Sequence, residues 1–146
     1  MYSLPGLRLG YGIIKDPEVV EKLEKSRAPW SVSNIAESAG IAACALTKHP
    51  ANTRAFIKRE KNKICLQMSY LEEKGLRFVE SEADFILFTA PDVNGHNLYD
   101  LLLERNMLIR RCGDFRGLDG RWYRISVQDE PSNEKLMKAL KEIYGD

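Results

Sequence analysis

The chain has few cysteines and histidines, and both scarcities exclude a class of protein. Its 146 residues include only Cys44, Cys65 and Cys112, which form no C-x-x-C pair and are odd in number. A secreted disulfide scaffold is therefore excluded, and reduced thiols in the cytoplasm are expected. The two histidines, His49 and His96, have no metal-ligand spacing with the cysteines, so no metal site is predicted.

The chain also lacks an excess of charge of either sign and long apolar runs. The 22 lysines and arginines balance 21 aspartates and glutamates, and a net charge of +1 gives no bulk attraction to nucleic acid or an anionic membrane. The run Gly40–Leu46 is far shorter than the roughly 20 residues of a membrane span, and the amino terminus lacks the apolar region of a signal peptide. We expect one globular cytoplasmic domain over residues 1–146, with neither membrane nor nucleic acid as partner.

The first half of the chain predicts one strand and three helices. The strand is expected over Leu7–Lys15, and the Asp-Pro pair that follows is typical of a helix start. An alanine- and glycine-rich stretch, 31–46, predicts a helix packed closely against another element. A longer helix is predicted over 52–74, where apolar residues recur at helical spacing and Gly75 supplies the stop.

The apolar period changes after Gly75, and the second half predicts two pairs of strands. Two short strands with a tight turn near Glu82 form the first pair. A helix over 95–104, strands in MLIRR and RWYRISV, and a last helix over 132–144 follow. The order, a leading strand, helices and then β-β-α-β-β-α, indicates an α+β (broadly α/β) fold with a small, mostly antiparallel sheet covered by helices on one face.

Six arginines lie close together in sequence between residues 105 and 124. A solvated face balanced by acidic neighbours is one interpretation. It does not account for Arg110, which ends an apolar strand, or for Arg124, which alternation places in mid-strand on the face opposite to its two apolar neighbours. A mid-strand arginine requires an anionic partner, which makes Arg110 and Arg124 candidate ligands of an anion.

The stretch PGLRLGYG near the amino terminus places a third candidate, Arg8, between glycines. Glycines allow an anion to approach the backbone, and a guanidinium offers a rigid fork of donors. The glycine spacing fits neither G-x-G-x-x-G nor a P-loop, so nucleotide binding is not predicted. Arg8, Arg110 and Arg124 together predict a ligand with two negative groups, such as an amino acid phosphate.

The same residues resemble a known family. PGLRLGY is similar to the segment of fold-type I pyridoxal-phosphate enzymes, histidinol-phosphate aminotransferase relatives included, in which an arginine binds the cofactor phosphate. LIRRCGDFRGLDGRWYRISV resembles the arginine pattern of L-threonine-O-3-phosphate decarboxylases of cobalamin synthesis, and APWSVSNIAESAG and SEADFILF resemble other parts of their small domain. The resemblance extends over nearly all of the chain and implies the carboxy-terminal small domain of such an enzyme.

The resemblance implies a role for each of the three arginines and a cofactor, pyridoxal 5'-phosphate. Arg8 resembles the arginine of the cofactor phosphate, Arg124 the one that meets the substrate carboxylate, and Arg110 the one that reaches the substrate phosphate. Arg111 stands where the family has an aspartate, which leaves Arg110 without its usual neighbouring carboxylate, and Asp84 stands where it has an asparagine. The implied substrate is a phosphorylated amino acid, and the implied assembly is a homodimer.

The same resemblance implies that the Schiff-base lysine and the large cofactor-binding domain lie before Met1, so no catalytic residue is expected in this chain. The chain alone is expected to be inactive and to need that large domain or a second chain, with Arg8 and Trp30 on the exposed face that would meet it. Three functions stay open: a threonine-phosphate decarboxylase, a transaminase of a substrate such as histidinol phosphate, and a non-catalytic anion-binding or interaction module. The C-x-x-F-x-G-L signature after Arg110 favours the decarboxylase.

Overall fold

The computed structural model describes Tyr2 and residues 4–145, which form two compact units, 1–53 and 54–146. The first unit contains a 3-10 turn (Pro5–Leu7) and two helices, α1 (Pro17–Ser26) and α2 (Asn34–Ala45). Both helices begin at a side-chain cap, because Asp16 accepts a hydrogen bond from the Glu18 amide and Ser33 accepts one from the Ala36 amide. The helix start predicted at the Asp-Pro pair is thus confirmed.

The strand predicted over Leu7–Lys15 is wrong. Leu7 ends the 3-10 turn, Arg8 has a left-handed backbone with φ of 52°, and the residues that follow pair with no strand. Glycines at 10 and 12 weaken a strand because they lose much backbone freedom on ordering and offer no side chain to pack. A strand also needs a neighbour for its backbone hydrogen bonds, and the described part of this unit contains no other strand.

Helix α2 makes one close contact within its unit, as its small residues predict. A Cβ built on Gly40 would lie 2.5 Å from Cδ2 of Leu9, so a side chain at this position would force the Leu9 side chain to move. Burial in the unit is otherwise slight: of the large apolar side chains, Trp30 is 97% exposed and Tyr11 is 92% exposed. The predicted exposure of Trp30 is confirmed.

A helix that spans the boundary between the units, α3 (His49–Ser69), leads into the second unit. It continues as a 3-10 turn over Glu72–Lys74 and stops at Gly75, whose φ of 93° suits glycine. The remaining elements are β1 (Arg77–Val79), β2 (Phe85–Thr89), α4 (Leu98–Leu103), β3 (Arg110–Arg111), β4 (Trp122–Ser126) and α5 (Glu130–Tyr144). The strands form one antiparallel sheet in the order β1-β2-β4-β3, which confirms the α+β fold class.

One face of this sheet forms the core. Ile86 and Phe88 of β2 and Tyr123 and Ile125 of β4 are buried, and residues of α3, α4 and α5 complete the same hydrophobic cluster. Each large apolar side chain buried in this way contributes about 1.5–3 kcal/mol. The alternating residues of β2 and β4 are half-buried or exposed, so the second face carries side chains of mixed character, among them Arg124. The described part of the chain contains no helix long and apolar enough to cross a membrane.

Candidate anion-binding site

Arg110 and Arg124 lie directly opposite each other in the antiparallel pair β3–β4. Residues paired in this way point to the same face of the sheet, and Arg111, which pairs with Tyr123, points to the other. The predicted placement of Arg110 and Arg124 on one face is confirmed. Two like charges directly opposite each other are unfavourable, so this position calls for a negative group nearby.

Arg124 is half-buried, and no carboxylate among the described residues forms an ion pair with it. Its guanidinium carbon lies 5.0 Å from the centroid of the Phe85 ring, two residues along the neighbouring strand from its partner Leu87. A cation over an aromatic face is stabilised and oriented by the ring quadrupole. Arg124 is therefore held in place by a ring while its hydrogen-bond donors stay available to an anion.

Arg110 is held differently, between a carboxylate and a ring. Its Nη2 donates to Oδ2 of Asp114, and its guanidinium carbon lies 5.7 Å from the centroid of the Phe115 ring. Arg111 stands in the place of the usual carboxylate, but Arg110 pairs with another one, Asp114. The loop after β3 turns back and brings Asp114 to Arg110, four residues away.

A cavity of about 330 Å³ opens beside these two arginines, and none of the side chains that line it is a carboxylate. Lys135 of α5 adds a third cation to its wall, and Ser126, Gln128 and Ser132 add polar groups. A cavity with three cations, hydrogen-bond donors and no acid is suited to an anion with more than one negative charge.

Asn133 fixes the loop that separates β4 from α5 at this cavity. It is buried, its Oδ1 accepts from the Gln128 amide at 2.9 Å, and its Nδ2 donates to the Gln128 carbonyl at 2.8 Å. The Asp129 carboxylate accepts from the Ser132 amide and so caps α5. The start of α5, and with it Ser132 and Lys135, is thereby anchored to the end of β4.

Cys112 lies in the same region but is no nucleophile. Burial raises the pKa of its thiol, and the nearby positive charges of Arg124 and Arg110 act in the opposite direction without reversing the shift. Its Sγ donates only a weak contact, 3.8 Å long, to the Arg110 carbonyl. Because the thiolate is the reactive form, a buried thiol whose pKa is raised fits a packing role.

Sequence reasoning missed Lys135, Ser126 and Ser132. Ser126 had a usable signal, since it lies two residues after Arg124 on the same strand and therefore on the same face. No sequence signal indicated Lys135, because its place beside the arginines depends on how α5 packs against the sheet.

Arg8 belongs to the first unit, whereas Arg110 and Arg124 belong to the second. Its side chain is exposed, as predicted, and Nη1 donates to the Pro5 carbonyl at 3.3 Å. No carboxylate among the described residues pairs with it. The remaining donors of its guanidinium are therefore open to a phosphate.

A second, larger cavity of about 620 Å³ lies between α3 and the β1–β2 hairpin. It mixes cations with carboxylates, since Arg54 and Lys58 line it together with Glu80, Glu82 and Asp84. Lys61, also in its wall, is bonded to the Ser81 and Ala83 carbonyls of the hairpin. Because cations and carboxylates both line this cavity, its charges do not favour an anion. Nowhere in residues 2 and 4–145 do three or more histidine, cysteine or acidic side chains cluster as metal ligands would.

Comparison with known proteins connects this geometry to a family. The model of the family "Aminotransferase class I and II" matches residues 1–143 of the chain. The histidinol-phosphate aminotransferase of Symbiobacterium thermophilum is 37% identical over all 146 residues. The threonine-phosphate decarboxylase of Salmonella typhimurium is 29% identical over 142 residues, 97% of this chain. The chain spans 38% of the length of both relatives.

Solved structures give the same two kinds of relative. The histidinol-phosphate aminotransferase of Clostridium acetobutylicum superposes with a TM-score of 0.87 and 31% identity, and covers 98% of this chain. The L-threonine-O-3-phosphate decarboxylase of Porphyromonas gingivalis superposes with a TM-score of 0.75 and 29% identity, and covers 99% of it. The chain matches 42% and 44% of those two structures.

Proposed function

Because the chain belongs to the class I and II aminotransferase family, we propose that it is the substrate-facing carboxy-terminal domain of a pyridoxal-phosphate enzyme acting on a phosphorylated amino acid. The observation that carries this proposal is the pairing of Arg110 with Arg124 on one sheet face, beside a cavity whose lining includes no acid. The large cofactor-binding domain, the lysine that binds the cofactor and a homodimeric, cytoplasmic assembly belong to the same proposal.

The proposed substrate carries two negative groups, and each has its own cation. Arg124, with no internal carboxylate, takes the substrate carboxylate, and Arg110 takes the phosphate with help from Lys135. Two charge-assisted attachments fix the molecule at both ends and so limit rotation of the α-carbon between them. By fixing the orientation of the α-carbon in this way, the chain contributes to selecting which of its bonds breaks.

The residues present fit the proposed cofactor. The Arg8 guanidinium is exposed and, among the described residues, is bonded to the Pro5 carbonyl, so its remaining donors can receive the cofactor phosphate. When bound, pyridoxal 5'-phosphate supplies the electron sink for bond cleavage at the α-carbon. The residues of this chain contribute anion binding and orientation.

The proposed reaction is decarboxylation of threonine phosphate, as in a cobalamin pathway, with amino transfer from a substrate such as histidinol phosphate as the alternative. The loop that follows Arg110, with Cys112 and Phe115 in the decarboxylase-like pattern, supports the first. The aminotransferase relatives, at 37% identity and a TM-score of 0.87, support the second. Release of carbon dioxide from threonine phosphate, compared with 2-oxoglutarate-dependent amino transfer from histidinol phosphate, separates the two.

The role of Arg124 is tested in a full-length enzyme that carries this stretch. Arg124→Ala is expected to lower kcat/KM by an amount equivalent to about 2–4 kcal/mol, because a charged anchor of the substrate carboxylate is lost. Arg121→Ala is the matched control, since Arg121 is exposed and already paired with Asp119. Small and equal effects of both substitutions would support the solvated-face interpretation instead.

A further inference from the structure

The Arg110–Asp114 ion pair places a competing anion at the edge of the proposed substrate site. We propose that Asp114 is an internal counter-ion that occupies Arg110 in the absence of substrate and competes with any anion that binds there. The inference rests on the proposed function, because it takes Arg110 to be a ligand of the substrate phosphate. It adds to that function an internal competitor that the substrate phosphate must displace.

The loop that carries Asp114 is closed by backbone hydrogen bonds. The Cys112 amide donates to the Trp122 carbonyl at 2.8 Å, and the Phe115 amide donates to the Cys112 carbonyl at 3.0 Å. Gly113 is packed so tightly that an added Cβ would lie 3.2 Å from the Asp119 carbonyl oxygen. The Asp114 carboxylate is therefore kept beside Arg110, and a group tethered in this way competes at a high effective concentration.

Asp114 is not needed to orient Arg110. The Phe115 ring contacts the guanidinium independently, with its centroid 5.7 Å from the guanidinium carbon. Loss of the carboxylate therefore leaves Arg110 supported by the ring, which is a favourable cation–π contact. Because the ring positions Arg110, removal of Asp114 tests whether the carboxylate competes for the guanidinium and not whether it positions the side chain.

The pair is open to water, so an anion of higher charge can displace it. The side chains of Arg110 and Asp114 are 49% and 62% exposed, and ion pairs in such surroundings are weak. A monoanion brings no more charge than Asp114 and loses translational freedom on binding, so it gains little by exchange. A dianion brings more charge and can also contact Arg124, which is paired directly opposite Arg110.

The same loop contains a matched control. Asp119 forms an ion pair with Arg121 at 2.9 Å, and the two side chains are 52% and 64% exposed. Neither residue lines the cavity beside Arg110. Asp119→Asn therefore removes the same charge from the same loop without releasing a cation of the proposed site.

The test uses the 146-residue chain and two simple anions, sulfate as dianion and acetate as monoanion, at constant ionic strength. Binding is followed through the NMR signals of the Arg110 and Arg124 Nε–Hε groups in wild type, Asp114→Asn and Asp119→Asn, and through the Arg124 signal in Arg110→Gln, because Arg124 is paired directly opposite position 110. In wild type, sulfate is expected to bind and acetate to bind much more weakly. Asp114→Asn is expected to strengthen acetate binding roughly three- to five-fold and sulfate binding at least as much, while Asp119→Asn changes both by less than about 1.5-fold.

Two results overturn the inference alone. One is an Asp114→Asn variant whose acetate affinity is unchanged or weaker, and the other is an equal gain in Asp119→Asn, because either shows that Asp114 does not compete at Arg110. In both cases, sulfate binding that is present in wild type and lost in Arg110→Gln would still support the proposed anion site. Failure of sulfate to shift either arginine signal in wild type and in both aspartate variants overturns the inference together with the anion site of the proposed function.

Discussion

At the scale of single residues, Glu60 is the most unusual charge in the described chain. Its side chain is 1% exposed, yet it accepts hydrogen bonds from Arg59 at 3.0 Å and forms an ion pair with Lys63 at 3.1 Å. Lys63 also binds Glu130 at 2.6 Å, which connects α3 to the first turn of α5. The Arg59 hydrogen bond lowers the pKa of Glu60 from its usual 4.5, although burial acts against the shift. Removing the carboxylate leaves Arg59 without its carboxylate partner and leaves Lys63 with Glu130 alone.

Glu60→Gln is therefore expected to lower the stability of the chain at pH 7, measured as the midpoint of urea unfolding. Because the folded-state pKa lies below the unfolded one, the contribution of Glu60 is fully present above about pH 4.5 and is lost as the pH falls through the folded value. The difference between variant and wild type is thus expected to shrink below that pH. Glu21→Gln, which removes an exposed partner of Lys25 on α1, is the control. A difference as large at pH 3 as at pH 7 would contradict this account.

At the scale of elements, α4 shows how six residues are divided between core and solvent. Its cap is Asn97, whose side-chain oxygen accepts from the Asp100 amide, and the helix begins there rather than at residue 95. Gly95 has a φ of 80° and lies in a turn closed by hydrogen bonds between Val93 and His96, which explains the late start. Leu102 is fully buried, whereas its neighbour Leu103 is 49% exposed.

Replacing Leu102 and Leu103 one at a time measures how much each side chain contributes to the free energy of unfolding. Leu102→Ala is expected to destabilise the chain by about 2–5 kcal/mol, because it leaves a cavity in the core. Leu103→Ala removes the same atoms from a partly solvated site and is expected to cost less than about 0.5 kcal/mol. Both values come from urea unfolding under the same conditions. Similar losses in the two variants would show that α4 is oriented differently.

The elements also show what the sequence could predict and why the rest was out of reach. Alternation in β4 assigned Arg124 and Tyr123 to opposite faces correctly, because the period of a strand is a local property. The pairing of Arg110 with Arg124 followed from a short connection between two strands. The contact with Asp114 could not be predicted, because it depends on the closure of a loop by hydrogen bonds to β4. The error at Leu7–Lys15 arose because a strand forms only beside a pairing partner, and the sequence of the segment itself does not show whether there is one.

At the scale of the whole molecule, the 146 residues are expected to bind anions without catalysing a reaction. The proposed function assigns the lysine that binds the cofactor to the large domain, so none of these 146 residues is expected to take that role. Incubation with pyridoxal 5'-phosphate and borohydride is expected to leave no adduct at one defined lysine, and threonine phosphate is expected to release no carbon dioxide. Mass spectrometry of the treated chain checks the first point. Specific labelling together with turnover would refute the prediction.

The opposed charges of Arg110 and Arg124 also concern the sheet that carries them. β3 is two residues long and forms the edge of the sheet, and one of its two pairs with β4 sets a cation against a cation. That repulsion acts against strand pairing; Asp114 offsets part of it at Arg110, and an anion bound between or beside the two side chains would offset more. Anion binding and closure of the edge strand are then thermodynamically linked, so that whatever favours one favours the other. The ligand would in that sense complete the secondary structure as well as occupy the site.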